Sequence, residues 1–133
     1  MAPQDFPLTF ARRRLLPASA LLALLPRRRA SAHALVVGSE PAVGSALAAG
    51  PARVWVRFNS RIDHARSRLV LHGPEKAEAP LAPDPATDDP VLLTAPADGV
   101  PWAPGAWRLR WQVLALDGHI TRGDVPFTLR AAR

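Results

Sequence analysis

The chain of 133 residues contains no cysteine, and its single methionine is Met1. Disulfide bonds and thiolate metal ligands are therefore excluded. Because no methionine follows Met1, a thioether metal site is excluded from the rest of the chain as well. Any metal that this protein binds must be held by nitrogen and oxygen.

Several catalytic signatures are also missing. The sequence has no glycine-rich phosphate loop, no H-E-x-x-H motif and no evident histidine–carboxylate–serine arrangement. No internal repeat is visible, and no amphipathic helix of useful length follows residue 32. These absences direct attention to binding functions and to β-structure.

The first 32 residues have the pattern of an export signal. A basic start at residues 12–14 precedes the apolar run of residues 15–26, which is shorter than the roughly 20 residues of a membrane-spanning helix. Ala30 and Ala32 form the A-x-A pattern of a signal-peptidase site. We predict that residues 1–32 are removed after Ala32 and that residues 33–133 form one periplasmic domain. The arginine-rich start is similar to a twin-arginine signal, and the alternatives are an ordinary secretory signal and an amphipathic start that is not cleaved.

The high positive charge belongs mostly to this segment. Six of the seventeen Lys and Arg residues and one of the eleven acidic residues precede residue 33, so the net charge of the predicted mature chain is only +1. Its basic residues form no run or stripe in the sequence. The electrostatic pattern expected of a nucleic-acid-binding protein is therefore missing, and we expect no nucleic-acid partner.

Apolar residues occupy every second position in three segments, residues 53–58, 107–113 and 124–130, and most of the residues between them are polar. Alternation places every second side chain on one face, so each segment is predicted to be a half-buried strand. Trp107 and Trp111 are expected to anchor the core. Shorter candidate strands are residues 33–41, 68–72 and 91–95.

Turn-forming segments separate these strands. Residues 38–51 are predicted to form a long loop with about one helical turn, and five prolines exclude residues 73–90 from a central strand. Short strands joined by turns over about 100 residues indicate an all-β fold, a single antiparallel sandwich.

Two features stand out as candidate metal ligands. The segment "LDGHITRG" places Asp117 and His119 two residues apart around Gly118, a spacing that directs both side chains the same way in an extended chain. Cleavage after Ala32 would make His33 the first residue, so that its free amine and its imidazole could chelate one metal. Three nitrogens and one oxygen in a plane suit Cu(II), which also has the highest affinity among divalent first-row metals.

The chain resembles the CopC-type periplasmic copper-binding family over residues 33–130. The resemblance is carried in order by "HALVVGSEPAVGSAL", "PARVWVRFNSRI" and "GAWRLRWQVLALDGHITRGDVPFTL". The matching positions are His33, Ser39 to Pro41, Gly44, Phe58, Trp111, Asp117 to His119, Gly123 and Phe127.

The resemblance implies a Greek-key sandwich or barrel of about seven strands and one Cu²⁺ per mature chain, held by His33, Asp117 and His119. It also implies a role in copper resistance, sequestration or delivery to a separate inner-membrane copper-transport protein, CopD-like in type. Two departures are visible: the methionine-rich Cu(I) segment of some members is missing, and "FNSRI" has no acidic residue where many members have one.

Two other functions remain open at this stage. A histidine-brace copper monooxygenase would also use an amino-terminal histidine with a second histidine. A metal-free sandwich for adhesion or protein contact would need neither. His64 and His72 match no ligand position, and a plain surface role is predicted for each.

Overall fold

The computed structural model describes residues 33–85 and 88–132. The predicted export signal and its cleavage site precede His33 and lie outside the described residues. Within them the chain forms eight strands: β1 (Val36–Glu40), β2 (Ala46–Leu47), β3 (Arg53–Phe58), β4 (Ile62–His72), β5 (Glu78–Pro80), β6 (Leu92–Pro96), β7 (Gly105–Ala115) and β8 (Ile120–Leu129). A tight turn at Pro74–Lys76 joins β4 to β5.

The strands form two sheets, one in the order β1-β3-β6 and one in the order β2-β8-β7-β4-β5. The predicted all-β sandwich is thus confirmed. The structure has eight strands where about seven were expected, and two of the eight, β2 and β5, contain only two and three residues. One pairing differs from the predicted antiparallel arrangement, since β2 runs parallel to β8.

The core lies between the sheets and contains the side chains that the alternation assigned to it. In β3, Val54, Val56 and Phe58 are at most 1% exposed. Trp107 and Trp111 are 4% and 6% exposed, as predicted. A Cβ atom at position 123 would lie 2.4 Å from Cζ2 of Trp111, so this position of β8 requires glycine.

Two loop predictions had different outcomes. The helical turn expected within residues 38–51 is wrong, because β2 forms there and is fixed by hydrogen bonds from Thr128 N to Ser45 O and from Arg130 N to Leu47 O, both 2.8 Å. In the proline-rich segment, β5 lies at the edge of its sheet. An edge strand needs hydrogen bonds on one side only, which is compatible with proline.

Strand register gathers arginines that are scattered in the sequence. One row across β4, β7 and β8 consists of Val70, Arg110 and Asp124. The row on one side of it consists of Arg68, Gln112 and Arg122, and the row on the other side consists of His72, Arg108 and Pro126. Rows two residues apart share a face. The outer face of the five-stranded sheet therefore carries four arginines and one aspartate in these rows, an arrangement that the sequence alone did not show.

Candidate metal site

The D-G-H segment forms the connection between β7 and β8. Gly118 N donates to Ala115 O at 2.9 Å, and Ala115 N donates to His119 O at 2.9 Å, which closes a short hairpin loop. Gly118 has a φ of +88°. A residue in this left-handed region commonly follows the turn of a three-residue hairpin loop, and glycine enters it without steric cost.

The loop also fixes Asp117 against His119. Asp117 Oδ1 accepts a hydrogen bond from His119 N at 3.0 Å, and Asp117 Oδ2 lies 3.0 Å from Nδ1 of the His119 ring. The backbone hydrogen bond from His119 is the main reason that the pKa of Asp117 is lowered, with smaller contributions from the His119 side chain and from His33. Asp117 is therefore an anionic oxygen donor at neutral pH, while the His119 side chain is 66% exposed.

The amino-terminal end of the domain reaches this hairpin from the other sheet. Ala34 is 1% exposed and belongs to the core, whereas His33 is exposed. Leu35 is fixed by Asn59, whose Oδ1 accepts from Leu35 N and whose N donates to Leu35 O, both at 2.9 Å. Val36 then begins the pairing with Phe58.

These two segments bring His33 and His119 together. Their ring centres are 5.8 Å apart, with the ring planes inclined by 67°. An imidazole nitrogen binds a metal at about 2 Å, so two imidazoles on one ion have ring centres on the order of 4 to 6 Å apart. The separation therefore fits two nitrogen ligands of one metal, with the Asp117 carboxylate beside them.

The three side chains are not yet in a metal-binding geometry. Over residues 33–85 and 88–132, no group of three or more histidine, cysteine or acidic side chains is close enough to hold a metal ion. Nδ1 of His119 and Oδ2 of Asp117 are 3.0 Å apart, which is close to the separation of two neighbouring ligands that each lie about 2 Å from one ion, so a metal bound by both would displace the proton that they share. In the complete chain the His33 nitrogen is an amide, and it becomes an amine only after the predicted cleavage.

Ser60 and Arg61, which belong to the segment "FNSRI" that has no acidic residue, lie beside Asp117. Ser60, Arg61, Ala115, Leu116 and Asp117 line a shallow cavity of about 150 Å³. The Ser60 hydroxyl is buried and has no hydrogen-bond partner within the described residues. No acidic side chain from residues 59–61 therefore supplements Asp117.

The other two histidines have different surroundings. Nε2 of the half-buried His64 is 2.7 Å from Leu92 O, so this residue has a structural contact that the predicted surface role did not include. His72 lies near the opposite end of the sandwich and lines a cavity of about 560 Å³ with Trp107 and Arg108. Register explains the separation, because His72 pairs with Arg108 whereas Ile62, at the other end of β4, pairs with Ala115.

Fold and site together define a small β-sandwich with exposed nitrogen and oxygen donors at one end. The sequence model of the CopC domain matches residues 36–130, and the chain therefore belongs to the CopC domain family. The predicted family membership is thus confirmed. His33 lies three residues before the matched range, so its role depends on the geometry above.

Individual relatives agree with this assignment. Protein YobA of Escherichia coli K12 is 26% identical over 101 residues, covering 74% of this chain and 80% of YobA. The crystal structure of CopC from Methylosinus trichosporium OB3b has a TM-score of 0.66 and 26% identity, covering 76% of this chain and 97% of that one.

PcoC of Escherichia coli, described as a methionine-rich copper resistance protein, has a TM-score of 0.58 and 24% identity over 74% of this chain and 99% of its own. This likeness supports the shared fold.

Within residues 33–85 and 88–132, no helix has the length and the apolar character that would be needed to span a membrane.

Proposed function

We propose that the mature protein is a periplasmic copper-binding protein that holds one Cu²⁺ through His33, Asp117 and His119. The approach of the His33 and His119 rings to 5.8 Å is the observation that carries the proposal. The anionic Asp117 beside them supplies an oxygen donor and part of the charge that neutralises the ion. Family membership and the copper-resistance role of PcoC support copper as the metal.

The donor chemistry favours Cu(II) over Cu(I). Imidazole, amine and carboxylate groups suit Cu(II), whereas Cu(I) is bound best by thiolate and thioether sulfur. PcoC is described as methionine-rich, whereas this chain has no methionine after Met1 and no cysteine. We infer storage or delivery of oxidised copper in copper resistance, with a separate CopD-like inner-membrane transport protein as the partner.

The proposal is tested on protein isolated from the periplasm. Intact-mass measurement should give a chain that begins at His33, and titration should give one tightly bound Cu(II) per chain with a tetragonal, nitrogen-rich spin-resonance spectrum. His72→Ala is the matched control, because it removes a histidine at the opposite end and should leave binding unchanged. A start at Ala34 or later, or strong Cu(I) binding against a thioether chelator, would contradict the proposal.

A histidine-brace monooxygenase is the alternative that shares the paired histidines. The position of Asp117, within hydrogen-bond distance of His119, supports a binding site in which the carboxylate occupies a coordination position. Copper-loaded protein incubated with ascorbate should therefore produce no sustained peroxide and no oxidised glycan. Sustained production of either would favour the enzyme.

A further inference from the structure

The ladder between β1 and β3 ends immediately before the candidate site. Val36 pairs with Phe58, which is the last residue of β3, and the chain then leaves this sheet to begin β4 at Ile62. If β3 continued beyond Phe58, its backbone groups would form hydrogen bonds with Leu35, the residue that precedes β1. Leu35 therefore lies where regular backbone pairing stops.

The side chain of Asn59 replaces the missing backbone acceptor. Its Oδ1 accepts from Leu35 N, while the Asn59 backbone N donates to Leu35 O, so two hydrogen bonds of 2.9 Å close a ring around one residue. This ring extends the pairing of β1 by one residue toward His33. When Asn59 is replaced by any residue other than proline, the hydrogen bond from its backbone N is retained. The bond to its side chain is retained only if the new side chain has an oxygen acceptor.

Little else in the described structure orients this end of the chain. Ala34 is buried but contributes only a methyl group, and the Leu35 side chain is 61% exposed. His33 is exposed, and its ring lies edge-on to the ring of His119. The direction in which His33 leaves the sandwich is therefore set largely by the conformation of Leu35.

We propose that Asn59 is a positioning residue that holds the amino-terminal segment so that His33 faces His119. It acts through the Leu35 backbone and not as a metal ligand. For its consequence in copper binding, the inference rests on the function proposed above. The clamp itself is a property of the metal-free protein and can be measured without copper.

The first experiment measures hydrogen exchange of the Leu35 amide in metal-free protein that begins at His33. In Asn59→Leu the amide loses its acceptor, and its exchange should accelerate by about tenfold, as expected for one exposed hydrogen bond. Asn59→Asp retains an oxygen at the same position and should restore protection. Gln112→Leu is the matched control, since it removes another side-chain amide, the acceptor of a 2.8 Å bond from Arg122 Nε, elsewhere on the protein.

The second experiment measures Cu(II) affinity and the spin-resonance spectrum of the same variants. Asn59→Leu should weaken binding by about three- to tenfold and broaden the spectrum, because His33 samples more orientations. Gln112→Leu should match the wild type in both measurements. A loss of affinity with an unchanged Leu35 exchange rate would overturn the clamp as its cause.

The outcomes separate the two proposals. If wild-type protein binds Cu(II) and Asn59→Leu matches it in exchange, affinity and spectrum, the positioning role is wrong while the copper site stands. If wild-type protein does not bind Cu(II), the proposed function fails. Leu35 exchange in Asn59→Leu then still decides whether the clamp exists.

Discussion

The two halves of the candidate site are built in different ways. Asp117 and His119 are fixed by contacts within one short hairpin, where the hydrogen bonds join residues 115 to 119. His33 precedes the buried Ala34, and the next residue, Leu35, is hydrogen-bonded to Asn59, which lies 24 residues further along the sequence. The hairpin half is local, and the amino-terminal half depends on the packing of the whole sandwich.

This difference has a physical consequence. A hairpin whose carboxylate and imidazole are already hydrogen-bonded has little conformational freedom left to lose when it binds a metal. An exposed residue beyond the end of a strand keeps more freedom unless a side chain holds it. We therefore expect the two halves to respond differently to substitution, pH and changes at the amino terminus.

The largest effect is expected from one glycine placed ahead of His33. The extension replaces the amine by an amide and leaves the hairpin untouched. Zinc-finger sites, most with four ligands, contribute about 10 to 16 kcal/mol, so one ligand corresponds to about 3 kcal/mol, or on the order of 100-fold in affinity. Cu(II) titration of extended and His33-start proteins gives the comparison, with circular dichroism as the check on folding. Equal affinities would show that the amine is not a ligand.

Single substitutions in the hairpin are expected to have the next largest effects. His119→Ala removes a nitrogen ligand and should cost on the order of 100-fold or somewhat less, whereas Asp117→Ala should cost about tenfold because water can replace one oxygen donor. Competitive titration against a Cu(II) chelator measures both. His72→Ala serves again as the histidine control, and a loss there equal to that of His119→Ala would contradict the assignment.

The pH dependence of Cu(II) affinity should also distinguish the amino-terminal half of the site from the hairpin half. A metal takes the deprotonated amine, which titrates near 8 in model peptides, so affinity should fall by up to about tenfold per pH unit below that value. In the extended protein the free amine belongs to the added glycine and no longer lies on the residue that carries the His33 imidazole, so we expect its affinity to change less between pH 8 and 7. Identical pH profiles for the two proteins would argue against amine coordination.

Protonation of Asp117 should affect the stability of the protein only at much lower pH. Its pKa is lowered from 3.8, mainly by the His119 backbone hydrogen bond. A carboxyl with a lowered folded-state pKa stabilises the fold above its unfolded value and loses this contribution as pH falls through the folded value. The stability that Asp117→Asn loses relative to wild type should therefore be constant above about pH 4 and should shrink as the pH falls further, which denaturant unfolding at a series of pH values measures.

The smallest effect concerns the hairpin turn. Gly118 has positive φ and open space around its α-carbon, so Gly118→Ala meets backbone strain without a steric clash. The cost should be about 1 kcal/mol, or roughly 4 to 8 °C in Tm for a domain of this size. Gly118→Asn should lose less, since asparagine tolerates this region better. Thermal unfolding of the three proteins tests this, and equal Tm values would show that the turn adapts.

Sequence patterns predicted the parts of this structure that are local. Alternation identified β3 with the bounds found in the structure and the cores of β7 and β8, because a period of two directly reflects which face is buried. The D-G-H segment was singled out by the spacing of Asp117 and His119 in an extended chain, whereas the structure places both residues in the loop between β7 and β8. The tryptophans of β7 were correctly assigned to the core.

Features that depend on pairing between distant residues were not predicted. β2 has only two residues and exists through its bonds to β8, so no periodicity marks it. The contact of Asn59 with Leu35 joins two loops of the sequence, and the arginine rows appear only when register is known. The sequence shows that position 60 holds a serine and not an acidic residue. Only the structure shows that its hydroxyl is buried without a hydrogen-bond partner among the described residues.

The short outer strands have a consequence for association between copies of this protein. Unpaired strand edges can join to other chains and start aggregation. Here β2 and β5 end the five-stranded sheet after two and three residues, and β5 ends at Pro80. In the other sheet, β6 ends at Pro96 and its Thr94 carbonyl accepts from Asp84 N, while β1 contains a register shift between Val36 and Gly38. Each edge thus offers another copy only a short or irregular template for intermolecular β-pairing.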